Sequence, residues 1–275
     1  GLNWNAEYTA VINEEEDQLS LSSRALISNY SGKIFQDAKL LLLAGEINRQ
    51  PSLRRTVSGA GYQEMDDMIA MASEPGFQES SSFEYHSYRL DRNITLENQQ
   101  QKIVPLYPVK NSEFSKIYTY HHQKDPTGIS VVISAVNSKK SGLGNPFPAG
   151  LVRILKKEQD QLIILGEDKI SHTPIDEEIK LKIGQAFDIM AERKVLDRKR
   201  EGKNNEKIKI FIEFRNRKDK DIEIVVTEPI TRRYDYRILS SNTKVHKKEA
   251  KQVEFIVPVK ANQTNTLEFE ILYTW

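Results

Sequence analysis

The stretch 171–193, SHTPIDEEIKLKIGQAFDIMAER, gathers residue types that acid–base chemistry uses: His172, the carboxylates Asp176, Glu177 and Glu178, then Asp188 and Glu192. Alternation decides how they are used. Ile179, Leu181 and Ile183 alternate with Lys180 and Lys182, the mark of a half-buried strand. Gly184-Gln185 reads as a turn, and Phe187, Ile189 and Ala191 as the inner face of a second strand. Asp188, Met190 and Glu192 then point outward. Four residues along one strand place the two carboxylates about 13 Å apart, whereas glycoside hydrolysis needs about 5–5.5 Å or about 6.5–9.5 Å. The pair alone is therefore not a catalytic dyad. His172, followed by Thr173-Pro174, reads as a strand-end residue.

YHHQKD supplies His121, His122 and Asp125. Adjacent residues on a strand face opposite ways, so the two histidines do not converge on one metal from a regular strand. SGAG and SGLGNP lack the lysine and the strand-to-helix setting of a phosphate loop, and no serine sits in Gly-x-Ser-x-Gly. With no cysteine there is no thiolate nucleophile, disulfide or thiolate metal site. No cofactor is expected.

The elements behind these residues are strands. EKIKIFIEF places Ile208, Ile210, Ile212 and Phe214 on one face. DIEIVVTE does so with Ile222, Ile224 and Val226, QVEFIVPV with Val253, Phe255, Val257 and Val259, and TLEFEILYTW with Leu267, Phe269, Ile271 and Tyr273. This period-two pattern recurs in about seventeen runs separated by short polar turns. Three segments also share a strand, an asparagine (Asn29, Asn137, Asn216), a polar turn and a second strand. A short amide there bonds its own backbone, as in the hairpins of immunoglobulin-type and fibronectin-type sandwiches.

Residues 49–82 break the alternation. Their flanks are rich in Ser and Gly, and Tyr62, Met65, Met68, Ile69 and Ala72 fall at helical spacing before Pro75-Gly76. The spacing predicts a short amphipathic helix, so strands of residues 1–48 pair with strands beyond 82 across this insert. The expected fold class is all-β and mainly antiparallel. It comprises an N-terminal β domain over 1–197, interrupted by the helical insert, and an immunoglobulin- or fibronectin-like sandwich over 198–275. The turn near 198–205 either separates these domains or joins them as one long hairpin.

Charge and hydropathy narrow the function. A net charge of +1 on 275 residues lacks the basic excess of a nucleic-acid-binding domain. No apolar run reaches the length of a membrane span. The chain opens on Gly1-Leu2 and reads as a piece of a longer protein. RKREGK and RNRKDK alternate with acids and read as solvated turns, with an anionic contact as the sharper alternative. The methionine-bearing helix packs on its own sheet or offers Tyr62, Met65, Met68 and Ile69 to a protein partner. Tyr118 with Tyr120, and Tyr234 with Tyr236, lie pairwise on one strand face and are the candidates for glycan or small-ligand contact.

SYRLDRNITLENQQQKIVPLY, GNPFPAGLVRILKK, LGEDKISHTPIDEEIKLKIGQAFDIMAERK and the closing LEFEILYTW resemble the domain of unknown function 4139, found in mucoidy-inhibitor-like proteins. WNAEYTAVI and ALISNYSGKIFQDAKLLLLAGEI resemble its start. NPFPAG through AERK is the most specific part, and 49–82 has no counterpart. The resemblance implies a mostly β architecture within a longer, exported or envelope-associated bacterial protein, and carries no catalytic residues. The expectation is a non-enzymatic interaction or assembly module, contacting a protein partner or other domains of its own chain. Glycan or small-ligand binding is the alternative and a hydrolase the third. An extracytoplasmic place is favoured over a cytoplasmic one.

Overall fold

A computed structural model describes residues 1–45, 77–82, 85–230 and 235–275. Among them every regular element is a β-strand. In chain order they are β1 (Leu2–Ile12), β2 (Gln18–Asn29), β3 (Phe35–Ala38), β4 (Leu41–Ala44), β5 (Phe77–Ser82), β6 (Tyr85–Leu90), β7 (Ile94–Leu96) and β8 (Gln100–Glu113). Then come β9 (Ser115–Tyr120), β10 (Gly128–Val136), β11 (Gly150–Glu158), β12 (Gln161–Ile170) and β13 (Glu178–Glu201). The last are β14 (Asn205–Asn216), β15 (Ile222–Pro229), β16 (Asp235–Ser241), β17 (Val245–Lys248), β18 (Gln252–Val259) and β19 (Thr264–Thr274).

The all-β, mainly antiparallel class holds. Two large sheets run β12-β11-β1-β2-β8 and β16-β19-β14-β13-β10-β9-β15-β18-β17, beside the small sheets β3-β7 and β4-β6-β5. β9 and β15 pair in parallel. Strands before residue 48 do pair with strands beyond 82, as in β4 with β6 and β3 with β7. The predicted helix lies outside the described residues, but Phe77–Ser82, the tail of that insert, is strand β5 against β6.

Two compact units form, and neither is continuous in sequence. One holds 1–112, 137–153 and 169–177; the other holds 113–136, 154–168 and 178–275. The expected cut near residue 198 falls inside the β13–β14 hairpin, both arms of which belong to the second unit.

In the first unit an edge-to-face chain of rings runs through Trp4, Tyr88, Tyr107, Phe147 and Tyr8, with centroids 5.9–6.2 Å apart. Phe147, between Tyr107 and Tyr8, is buried. The flanking prolines supply carbonyl acceptors: Tyr107 and Tyr88 donate to Pro146 O at 2.9 and 3.2 Å, and Tyr8 donates to Pro148 O at 2.7 Å. Burial pushes the Tyr8 phenol well up, with Tyr88 adding to it. NPFPAG is thus a packing motif, its prolines fixing a backbone whose carbonyls satisfy three phenols that would otherwise be buried unpaired.

The second unit holds the nine-stranded sheet, curved on itself. Phe255 of β18 packs on Phe269 of β19 (5.0 Å), and Tyr120 of β9 on Phe214 of β14 (5.6 Å), although neither pair lies on adjacent strands. The alternating residues of β14, β15, β18 and β19 named above fill this core. β13 makes one bend. Its first half pairs with β10 and its second half with β14, and between them two steps of β10 face five of β13. The expected turn at Gly184-Gln185 is therefore not a turn: both residues are paired to β10 within one 24-residue strand. The misfit is absorbed two residues later by a bulge, which inserts extra residues and redirects side chains. Phe187, expected inside, is 94% exposed for that reason.

The three asparagines form one recurring clamp. Each is fully buried at the end of a strand. Asn29 Nδ2 donates to Leu96 O and Glu97 O, Asn137 Nδ2 to Thr173 O and Pro174 O, and Asn216 Nδ2 to Val259 O and Lys260 O. Three residues beyond the first carbonyl the backbone turns left-handed in every case: Gln99 (φ 61°), Asp176 (φ 68°) and Asn262 (φ 56°). The clamped turn then leads into the strand that pairs with the asparagine's own: β8 with β2, β13 with β10, β19 with β14. The expected local bonding is also present, with Ser31 N and Lys218 N donating to the Oδ1 of Asn29 and Asn216.

Candidate functional site

The core of the second unit ends in charge. On β15 the inward positions Ile222, Ile224 and Val226 are followed by Glu228, and on β13 Ile189 and Ala191 are followed by Arg193. On β9 Tyr118 and Tyr120 point in, and His122 takes the next such position. Tyr120 stands opposite Val226 in the parallel ladder, so two residues on His122 meets Glu228. Arg193 Nη2 donates to Glu228 Oε1 at 3.0 Å, and His122 Nδ1 lies 3.4 Å from Oε2. The Glu228 side chain is 5% exposed. The His122 approach is within ion-pair range without hydrogen-bond geometry, since Nδ1 has no hydrogen-bond partner; Arg193 Nε and His121 Nδ1 are likewise buried without one.

Phenols close the cluster. Tyr120 donates to Pro126 O at 2.8 Å, and its hydroxyl is pushed up to about 12, first by burial, with Glu228 and Asp125 adding and Arg193 opposing. Tyr273 on β19 is also pushed up to about 12, by burial and then by Glu228. Burial and then Lys124 hold the His121 imidazole below its ordinary value. Among the described residues the one buried carboxylate, Glu228, is held by Arg193. Among the described residues no three His, Asp or Glu side chains converge as a metal would require.

A second feature faces solvent. β12 is the edge of its sheet. Leu162, Ile163 and Ile164 are 58%, 40% and 64% exposed, so apolar groups stand on both faces of one strand. The other edges of the two large sheets are blunted. β8 carries Pro105 and Pro108, while β16 and β17 have register breaks and β17 adds Lys247 and Lys248. The run Leu162–Leu165 has neither proline nor charge. Beyond it the strand is anchored: Lys182 N donates to Asp168 Oδ2 at 2.6 Å, and Gly166 lies so near β13 that a Cβ would come 2.4 Å from Ile183 O.

The residues singled out from sequence fall as follows. Tyr118 and Tyr120 are buried in the core and offer no ring face to solvent. Tyr236 is half-buried; its hydroxyl donates to Glu249 O and Gln252 O, and Lys248 Nζ stands 5.0 Å over its ring. Tyr234, Tyr62, Met65, Met68 and Ile69 lie outside the described residues. His172 Nδ1 accepts from Ala149 N. Asp125 accepts from Gly128 N and from Gln185 Nε2. Asp188 and Glu192 face outward as expected, with Asp188 by Lys218 and Glu192 on Lys194 and Arg215. In the basic turns, Arg198 lies 3.8 Å from Glu206, and Arg200 donates to Lys203 O and stacks near Trp275. Glu228 and Arg193 were missed, although continuing the parity of Ile222, Ile224 and Val226 by two residues points Glu228 inward.

Antiparallel strands, a curved nine-stranded sheet and clamped turns define an all-β protein class. The chain matches the family described as Domain of unknown function (DUF4139) over residues 1–275 and belongs to it. No curated protein matches it. No helix among the described residues is long and apolar enough to cross a membrane.

Proposed function

We propose that the chain is a non-enzymatic interaction or assembly module of a larger, envelope-associated bacterial protein, built from sandwich-like units of which the second is of the immunoglobulin or fibronectin type. The observation that carries this reading is the β12 edge. A strand edge presents unpaired backbone donors and acceptors, and natural sheets blunt such edges unless something covers them. Here one edge keeps three adjacent exposed aliphatic side chains, while the others are broken by proline, lysine or a change of register. An added strand would satisfy the backbone and cover side chains on both faces. The polar end of the second core supports the same reading, because its buried carboxylate, Glu228, is already held by Arg193.

A photo-crosslinking residue in place of Ile164, in the full-length protein within its own cells, tests this. The expected result is a discrete protein adduct that disappears on Leu162→Lys. A diffuse background, or an adduct indifferent to Leu162→Lys, would remove β12 as the contact surface.

A further inference from the structure

The turn between β9 and β10, residues 121–127, lies against the charged end of the second core. His122 reaches Glu228 from it, and the His121 ring stacks on His122 at 6.3 Å and 29°. The turn is held by bonds that do not use the His121 ring. Lys124 N and Asp125 N donate to His121 O at 3.0 Å, Gly128 N donates to Asp125 Oδ1, Gln185 Nε2 donates to Asp125, and Ala191 N donates to Thr127 O. His121 Nδ1 is buried without a hydrogen bond of good geometry, and the pull of its own backbone on a proton there is outweighed by burial and by Lys124. A proton added there would create a poorly partnered buried N–H and a new cation.

The charges facing the turn sharpen this. Lys124 and His122 belong to the turn itself, and Arg193 comes from β13. Asp125 and Glu228 oppose them, and Glu228 is already held by Arg193 at 3.0 Å. Tyr120 and Tyr273 are neutral phenols across the physiological range. An imidazolium at residue 121 therefore meets Lys124 and His122, while the carboxylate that favours it, Glu228, is shared with Arg193.

We propose that this turn is an acid-released cap on the Arg193–Glu228 pair, with His121 as the residue that senses protons. The closed turn keeps His121 neutral, consistent with the downward shift caused by burial and by Lys124. An open turn returns it to the ordinary histidine value of about 6.5. The open form thus binds the proton first, so closure is fully favoured above that value and weakens as pH falls below it. Release at low pH would expose a carboxylate and a guanidinium that the neutral fold keeps covered.

Amide hydrogen exchange at residues 121–128, corrected for intrinsic rates, decides the matter at pH 7.5 and 5.5. In the native chain, protection there should fall at the lower pH, by up to about tenfold, the limit for one proton over roughly one pH unit. In His121→Phe, which keeps a ring for stacking, it should not fall. An unchanged native turn, or an equal fall in the variant, overturns the proposal. Should His121→Phe fail to fold, the His121 ring can be titrated by NMR in the native chain; a midpoint at or above the ordinary value overturns it as well.

Discussion

The side-chain amide of Asn216 donates to the carbonyl of Val259 at 3.3 Å, pinning the end of β14 to the end of β18. The same relation joins Asn29 to Leu96 at 3.2 Å and Asn137 to Thr173 at 3.3 Å. An asparagine suits this task because two N–H bonds can reach several carbonyls while Oδ1 accepts from the local turn. The clamp satisfies carbonyls that a strand end would otherwise bury unpaired.

Replacing Asn216 by Ala leaves the carbonyls of Lys220, Val259 and Lys260 without the amide they share. The expected loss is about 2–4 kcal/mol, since each buried unsatisfied group costs about 1–3 kcal/mol and some relax. Asn216→Asp should cost at least as much, because it sets an acceptor against acceptors. Urea unfolding midpoints at a constant slope check both.

Glu228 and Arg193 should behave as a coupled pair. Glu228→Leu alone leaves a buried guanidinium and should cost about 3–5 kcal/mol. Combining it with Arg193→Met should recover most of that loss. A double-mutant cycle on unfolding free energies measures the coupling, and additive losses would show that the pair does not act as one.

Alkaline pH should destabilise the second unit. Tyr120 and Tyr273 stay neutral in the fold up to about 12 but ionise near 10 when unfolded. The fold therefore binds more protons, and its stability is complete below pH 10 and lost as pH rises from 10 towards 12. Tyr273→Phe should flatten this decline, read as unfolding midpoints between pH 9.5 and 11.5.

Gly166→Ala should cost about 1–3 kcal/mol, because the new methyl meets the Ile183 backbone oxygen at 2.4 Å and the strands must part. Gly184→Ala, with open space around its Cβ, should cost much less. Thermal midpoints of the two variants compare them directly.

Much of the fold was legible because one-face burial writes period two into sequence. β14, β15, β18 and β19 were placed residue by residue on that signal, and the asparagine grammar marked all three clamps. What was not legible depends on partners far along the chain. Phe187 sits in phase with Ile189, and only the mismatch between β10 and β13 expels it. Tyr118 and Tyr120 share a strand face, which says nothing of whether that face is covered; Phe214, 94 positions after Tyr120, covers it. The interleaved units escaped notice for the same reason, since strands of both alternate along the chain. Glu228 was readable, yet a glutamate in an apolar register invites assignment to the strand end.

The most direct test of the contact surface is hydrogen exchange at Leu162–Leu165, measured in the purified 275-residue chain and in the full-length protein isolated under mild conditions with its native associates. The account predicts fast exchange in the chain and protection at least about tenfold greater in the native preparation, as an edge strand gains a neighbour. Equal exchange in both would mean that the β12 edge stays open in its natural setting, and would contradict a module that works through it.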